Sequence, residues 1–293
     1  MISGDGSITP PTAYTPSLST VPAADQAAVK TAKTTPKVGY SGYGRDLYIL
    51  LTNIIASDHS SRSAQLTLTG KSDGTTVLAP DTATGEMDMS QLPNGLLEYA
   101  MKDVAYTLDS NPTITIPDGG TFKAYQQPYS ITAVTYHDLG RGTLVRGLST
   151  DPSRLNAATM GVSASYEGVA FNQWVNDGVF SYTVNFGADM AGSTGSGTIT
   201  GLKGKPGDAG YDWGTLTLGS VNGATSSWIY NIGGNKTSSF GSKWSDGKLT
   251  GSGITNGLYY LGLFGPNAEE ISGGGTVEID GKYHSFGAAG KKQ

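Results

Sequence analysis

The chain has 293 residues, more than one compact domain usually needs, with 37% hydrophobic residues, 15% charged residues and 43 glycines. Its formal charge of −5 and pI near 5.1 argue against a nucleic-acid partner, and the lack of cysteine excludes disulfides, thiolate metal sites and cysteine catalysis. No stretch of the sequence approaches the roughly 20 apolar residues that cross a bilayer as a helix.

Residues 1–36 carry Pro10, Pro11, Pro16, Pro22 and Pro36 and one aromatic, Tyr14. Such a segment buries too little apolar surface to offset its ordering entropy, so it reads as a flexible tether, with Ala23 to Lys33 able to form a loose helix. The opening Met1-Ile2-Ser3-Gly4-Asp5-Gly6 lacks the charged-then-apolar pattern of a signal peptide and reads as a mature fragment with Met1 added for expression. Residues 37–150 mix β with a little helix. Asp46 to Ile55 reads as a buried strand. Ala64 to Thr69 alternates as a half-exposed strand and ends in the turn Ser72-Asp73-Gly74. Leu92, Leu96, Leu97 and Tyr99 give an apolar stripe that predicts a helix over Met89 to Met101, with Pro93 and Gly95 weakening its first turn. Thr113 to Ile116, Thr121 to Tyr125, Tyr129 to Tyr136 and Thr143 to Gly147 are predicted strands. Ser149 to Met160, with Pro152 and no clear period, is a connector.

From residue 161 strands come at hairpin spacing. Phe180, Tyr182, Val184 and Phe186 share one face of Gly178 to Phe186, and Ser181, Thr183 and Asn185 the other. Leu258, Tyr260 and Phe264 face one way, Tyr259, Leu261 and Leu263 the other. Further strands are expected at Ser163 to Phe171, Gly197 to Gly201, Tyr211 to Leu218, Ser239 to Gly251, Gly273 to Ile279 and Lys282 to Ala288. About eight strands with glycine turns predict a closed antiparallel barrel, which has no exposed edge, and the frequent aromatics predict a filled interior. Lys291-Lys292 reads as a solvated tail.

The run Leu261-Gly262-Leu263-Phe264-Gly265-Pro266-Asn267-Ala268-Glu269-Glu270-Ile271-Ser272-Gly273, followed by Ser285-Phe286-Gly287-Ala288, resembles the closing hairpin of barrels in bacterial transferrin-binding protein B and its relatives. Tyr125-Gln126-Gln127-Pro128-Tyr129-Ser130-Ile131 is similar to a stretch of the β-rich handle that precedes such barrels. The resemblance implies a mainly β chain: a tether over 1–36, a handle over 37–150 and an eight-stranded antiparallel barrel over 161–293. It also implies a protein that is secreted or held at the extracellular surface after passing a dedicated outer-membrane translocator. Members of this group carry two handle-and-barrel lobes or, like the secreted heme carriers called hemophilins, one. One lobe fits this chain.

A heme-carrying relative implies an imidazole on iron. His59 sits in the polar loop Ser57-Asp58-His59-Ser60-Ser61 after an apolar strand; an exposed loop histidine is the plainer alternative. His137 follows Val134-Thr135-Tyr136 at a strand-to-turn junction, where a surface hairpin histidine is the alternative. The two are the candidate iron ligands, with Leu50, Leu51, Ile54, Ile55 and Tyr136 as apolar walls that are equally ordinary core residues. His284 shares strand parity with Phe286 and reads as a barrel residue.

Gly70-Lys71-Ser72-Asp73-Gly74 has the spacing of a hydrolase elbow, but a strand rather than a helix is expected after it. Glu269-Glu270 reads as a pair of solvated turn residues. Glu86 and Asp88 are too few to hold a hard cation. No catalytic constellation is legible, so the chain reads as a binder rather than an enzyme. Its expected role is heme capture and delivery to an outer-membrane receptor, with hemoglobin as a candidate source. The alternative is a cofactor-free surface protein that binds a host protein of the transferrin or complement-regulator kind, or an adhesin.

Overall fold

The computed structural model describes residues 17–35, 62–70, 77–78, 87–108, 113–116, 121–137, 140–204, 211–230, 236–241 and 247–293. The strand expected over Asp46 to Ile55 and the turn at Ser72 to Gly74 lie outside the described residues. The chain divides into two compact units: Met1–Pro128 with Thr135–Gly142, and Tyr129–Val134 with Thr143–Gln293.

In the first unit a 3-10 turn, Ser17–Thr20, leads into helix α1, Ala23–Lys33. Asp25 in its first turn and Lys30 and Lys33 in its last complement the helix dipole. Val29, Ala32 and Lys33 are its buried residues, the i, i+3, i+4 spacing of one face. The Lys33 ammonium is fully buried. It donates to the carbonyls of Gln127 (2.5 Å) and Pro128 (2.9 Å) and to Ser17 Oγ (3.3 Å). The expected tether is therefore folded over residues 17–35. Composition missed the reason: one long cation finds backbone acceptors about a hundred residues away, which offsets the cost of ordering a polar segment.

Strand β1 (Thr34–Thr35) pairs with β4 (Met87–Asp88); β2 (Arg62–Gly70) and β3 (Val77–Leu78) lie between them in sequence. A 3-10 turn, Met89–Gln91, follows, and the Asp88 carboxylate caps it by accepting from the Ser90 N–H at 3.0 Å. The helix predicted over Met89 to Met101 is instead this turn followed by strand β5, Gly95–Leu108. Gly95 has φ +106°, a value no helix contains, and from there the chain is extended. The apolar stripe has a different origin. In the backbone register Leu96, Leu97 and Tyr99 stand opposite Tyr125, Ala124 and Phe122 of strand β7 (Thr121–Gln126). The sheet order in this unit is β3-β2-β5-β7, with β6 (Thr113–Ile116) also paired to β5. The hairpin of β8 (Ser130–His137) and β9 (Gly140–Gly147) contributes its tip to the first unit and its base to the second.

After a 3-10 turn at Pro152–Arg154 and the single-turn helix α2 (Ala157–Met160), the second unit is entirely β. Its strands are β10 (Ser163–Phe171), β11 (Gly178–Asn185), β12 (Thr194–Thr200), β13 (Leu216–Asn222), β14 (Ala224–Tyr230), β15 (Lys236–Gly241), β16 (Leu249–Thr250), β17 (Ile254–Phe264), β18 (Glu270–Ile279) and β19 (Lys282–Lys292). They form one antiparallel sheet in the order β14-β15-β17-β18-β19-β10-β11-β12-β13-β16. Only Gly223 separates β13 from β14, so these are two stretches of one long strand. That strand pairs with β12 on one side and, on the other, with β15 through β14 and with β16 through β13. β15 and β16 both lie between that strand and β17, so with these two counted as one position the ten pieces fill eight, each with two neighbours, and the sheet returns on itself as the alternating pattern predicts.

The interior is filled by its own side chains. Phe180, Tyr182, Val184 and Phe186 point inward from β11 and the turn after it, and Tyr259, Leu261 and Leu263 from β17. Tyr182 is central, with ring centroids 6.2 Å from Phe180, 6.0 Å from Phe240 and 6.4 Å from Tyr259. The Tyr166 hydroxyl donates to Ala268 O and that of Tyr259 to Gly219 O, both at 2.9 Å, so these phenols reach carbonyls from inside an apolar core. Lys291 and Lys292, expected as a tail, end β19 and pair with β10.

Candidate functional site

Leu50, Leu51, Ile54, Ile55 and His59 lie outside the described residues. Tyr136 and His137 are the last two residues of β8; their backbone is extended, and their side chains lie outside what is described. Among the described residues no group of three or more His, Asp or Glu side chains is arranged to hold a metal ion.

His284 is on β19, register partner of Val277 on β18, and has the inward parity of Phe286. Because the strands alternate in direction, residues 172–177, 201–204, 211–215, 251–253 and the β18–β19 turn gather at one end of the barrel. There the half-buried His284 ring lies between two indoles, with centroids 5.6 Å from Trp174 and 5.8 Å from Trp213 and interplanar angles of 59° and 54°. Trp213 is fully buried and Trp174 half-buried. The Trp174 loop is held by the buried Asn172. Its Oδ1 accepts from the N–H groups of Trp174 (2.9 Å) and Val175 (2.8 Å), and its Nδ2 donates to Lys203 O at 2.9 Å. The second loop is tied by the Trp213 N–H to Leu202 O at 3.0 Å. Tyr211 sits close to Asp280, and partial burial followed by that charge raises its hydroxyl pKa. Tyr283, half-exposed at 50%, stands beside the turn. This end of the barrel is a polar, aromatic-rich surface of the composition that protein interfaces favour.

A second constellation was not legible. Glu270, expected in solvent, is 2% exposed. Its Oε1 accepts from the Tyr129 N–H (3.0 Å) and its Oε2 from Ser130 Oγ (2.7 Å), which lies 2.7 Å from Ser272 Oγ. Glu269 does stay at the turn, where Asn267 donates to both its oxygens at 2.8 and 2.9 Å. The expectation holds for one carboxylate and fails for its neighbour because successive residues of a strand face opposite ways, and the outward face of β18 is covered by the base of the β8–β9 hairpin. The covering hairpin also explains the glycines: a Cβ at Gly274 would lie 2.7 Å from the Thr143 methyl group. Asp88 is the 3-10 cap and forms a 3.7 Å ion pair with Lys30.

Residues 157–275, from α2 into β18, match the family model described as factor H binding protein, C-terminal. A search of curated proteins gives no match. Among solved structures, isotype 1 transferrin binding protein B from serogroup B Neisseria meningitidis is similar over 79% of this chain and 43% of its own, at 14% identity and a TM-score of 0.36. The chain therefore spans less than half of that structure's length. Among the described residues no helix is long and apolar enough to cross a membrane.

Proposed function

We propose that this chain is an extracellular, surface-exposed bacterial protein that binds a host protein, of the complement-regulator or transferrin kind, and is not an enzyme. The observation that carries this reading is the match of residues 157–275 to the factor H binding protein family, on a barrel whose interior is occupied by its own aromatics. A filled barrel leaves its outer wall and loops for recognition, the arrangement of a macromolecular interface rather than of a ligand cavity. The test is surface plasmon resonance of the intact chain against purified human factor H and human transferrin. Saturable binding to either at micromolar affinity or tighter is expected, and no binding to both overturns the assignment.

Heme carriage is the second reading. It rests on the sequence positions of His59 and His137 and on Leu50, Ile54, Ile55 and Tyr136 as an apolar wall. Its signature is a sharp Soret band with low-spin visible bands on adding hemin, altered by His59→Ala and His137→Ala. A free-hemin spectrum in the wild type removes it, together with the receptor delivery it entails.

A further inference from the structure

We propose that Asn256 and Gly257 on β17 form a self-modifying site, at which the chain closes to a succinimide and reopens as aspartate or isoaspartate. The chain holds three Asn-Gly pairs, at Asn94, Asn222 and Asn256. In each, the glycine lacks the Cβ that would hinder approach of its backbone nitrogen to the preceding side chain. The fold treats the three differently. The Gly223 N–H donates to Ser193 O at 2.8 Å, which holds that nitrogen in a main-chain bond. Asn94 donates its Nδ2 to Thr20 Oγ1 at 3.0 Å, and Gly95 is in register with Gln126 at the start of β5. At the third pair the Gly257 N–H donates to Asn256 Oδ1 at 2.9 Å, so the nitrogen faces the amide carbon one bond behind that oxygen.

Two features of β17 place it there. The Thr150 N–H donates to Leu263 O at 3.0 Å. Leu263 and, by alternation along the strand, Leu261, Tyr259 and Gly257 therefore turn their N–H and C=O groups away from β18. On that side, among the described residues, β15 is in register only with Tyr260, Leu261 and Gly262, so the Gly257 N–H falls beyond the ladder. In addition, Thr255 is an extra residue between Ile254 and Asn256, which face consecutive β18 residues, Ile279 and Glu278. Such a bulge interrupts the ladder beside Asn256, where the ring must close.

In the reaction the Gly257 nitrogen bonds to Asn256 Cγ and gives up its proton. The Cγ–Nδ2 bond breaks, and the amide nitrogen leaves with that proton as ammonia. Water then splits one of the two imide C–N bonds. Cleavage at the side-chain carbon gives aspartate, and cleavage at the main-chain carbon gives isoaspartate. The contribution of the fold is proximity of nucleophile and carbon. Asn256 is half-buried beside the exposed Thr255, which leaves water a way in. Either product sets a carboxylate opposite Glu278, a like-charge pair across the two strands. Isoaspartate also lengthens the main chain by one methylene group, so the modified protein presents an altered 251–253 turn at the aromatic end of the barrel.

The test follows the intact folded chain, and the same chain unfolded in guanidinium chloride, at pH 8 and 37 °C. Peptide mass spectrometry reads the amide-to-acid mass gain at each pair, and isoaspartate-directed enzymatic methylation reads the isomer. In the folded chain Asn256 is expected to convert on the order of tenfold faster than Asn94 or Asn222, with isoaspartate among its products. In the unfolded chain, where all three pairs lose their geometry, the rates are expected to converge. No conversion at Asn256, rates alike at the three pairs in the folded chain, a lead by Asn94 or Asn222, or an equal lead for Asn256 in the unfolded chain overturns the proposal. Asn256→Gln keeps an amide but needs a six-membered ring, and it is expected to remove the leading site. Isoaspartate formed at an unchanged overall rate in that variant overturns the assignment.

Discussion

Glu270 holds a carboxylate where almost no water reaches, and its two oxygens take up a backbone N–H and a hydroxyl from the base of the hairpin. Replacing it with alanine leaves the Tyr129 N–H and the Ser130 hydroxyl buried without that acceptor. The expected loss is about 3 kcal/mol in urea or thermal unfolding, with glutamine losing less because its amide oxygen still accepts one bond. Glu269→Ala, at the turn, is expected to stay within about 1 kcal/mol of wild type. The two adjacent glutamates look alike in the sequence because what separates them is a partner 141 residues away. The same scale sets the alkaline limit of the fold. Burial, aided by the Glu269 charge, raises the Tyr166 hydroxyl pKa, and burial, aided by Tyr259, raises that of Tyr182. A raised folded value contributes stability below the unfolded tyrosine value of about 10 that is lost as pH climbs past it. Ultraviolet titration should show Tyr166 and Tyr182 ionising together with unfolding, and Tyr166→Phe should lessen the dependence of stability on pH above about 10.

Elements in the barrel were legible where one face is apolar and the other polar, as in β11, and where turns are written in short codes. The β18–β19 turn is Asp280-Gly281 with φ of +49° and +70°, the mirror-type turn that fits strand twist. Space is open around Gly281, so Gly281→Ala tests conformation alone and is expected to cost about 1–2 kcal/mol. Gly287→Ala tests packing instead, because its methyl group would run into the Phe171 ring, and about 1–3 kcal/mol is expected. Legibility failed at β5, where Leu92, Leu96 and Leu97 satisfy helical spacing by chance. Pro93 and Gly95 held the right answer, and the cross-strand partners that decide it lie beyond any local window. It failed again at α1, which Lys33 docks through distant carbonyls. Lys33→Met is expected to cost on the order of 2–3 kcal/mol and to make residues 17–33 cleavable by protease under native conditions.

At the scale of the molecule, the eight-strand closure followed from pattern, while the role of the last residues did not. A pair of lysines ending a chain looks like a tail, yet β19 lies between β18 and β10, joining the last hairpin to the first strand. A chain stopped after Gly281 loses a neighbour for both, and it is expected to lose the near-ultraviolet circular dichroism of the packed aromatics while the full chain keeps it.

That seam orders events in time. A ribosome that has released the chain only as far as Gly281 has made a curved ribbon with two bare margins, and no local pairing can seal it. Until β19 emerges, that ribbon stays open and exposed to sticking. Arrival of β19 is thus the step that turns a pliant strand array into a shut cylinder.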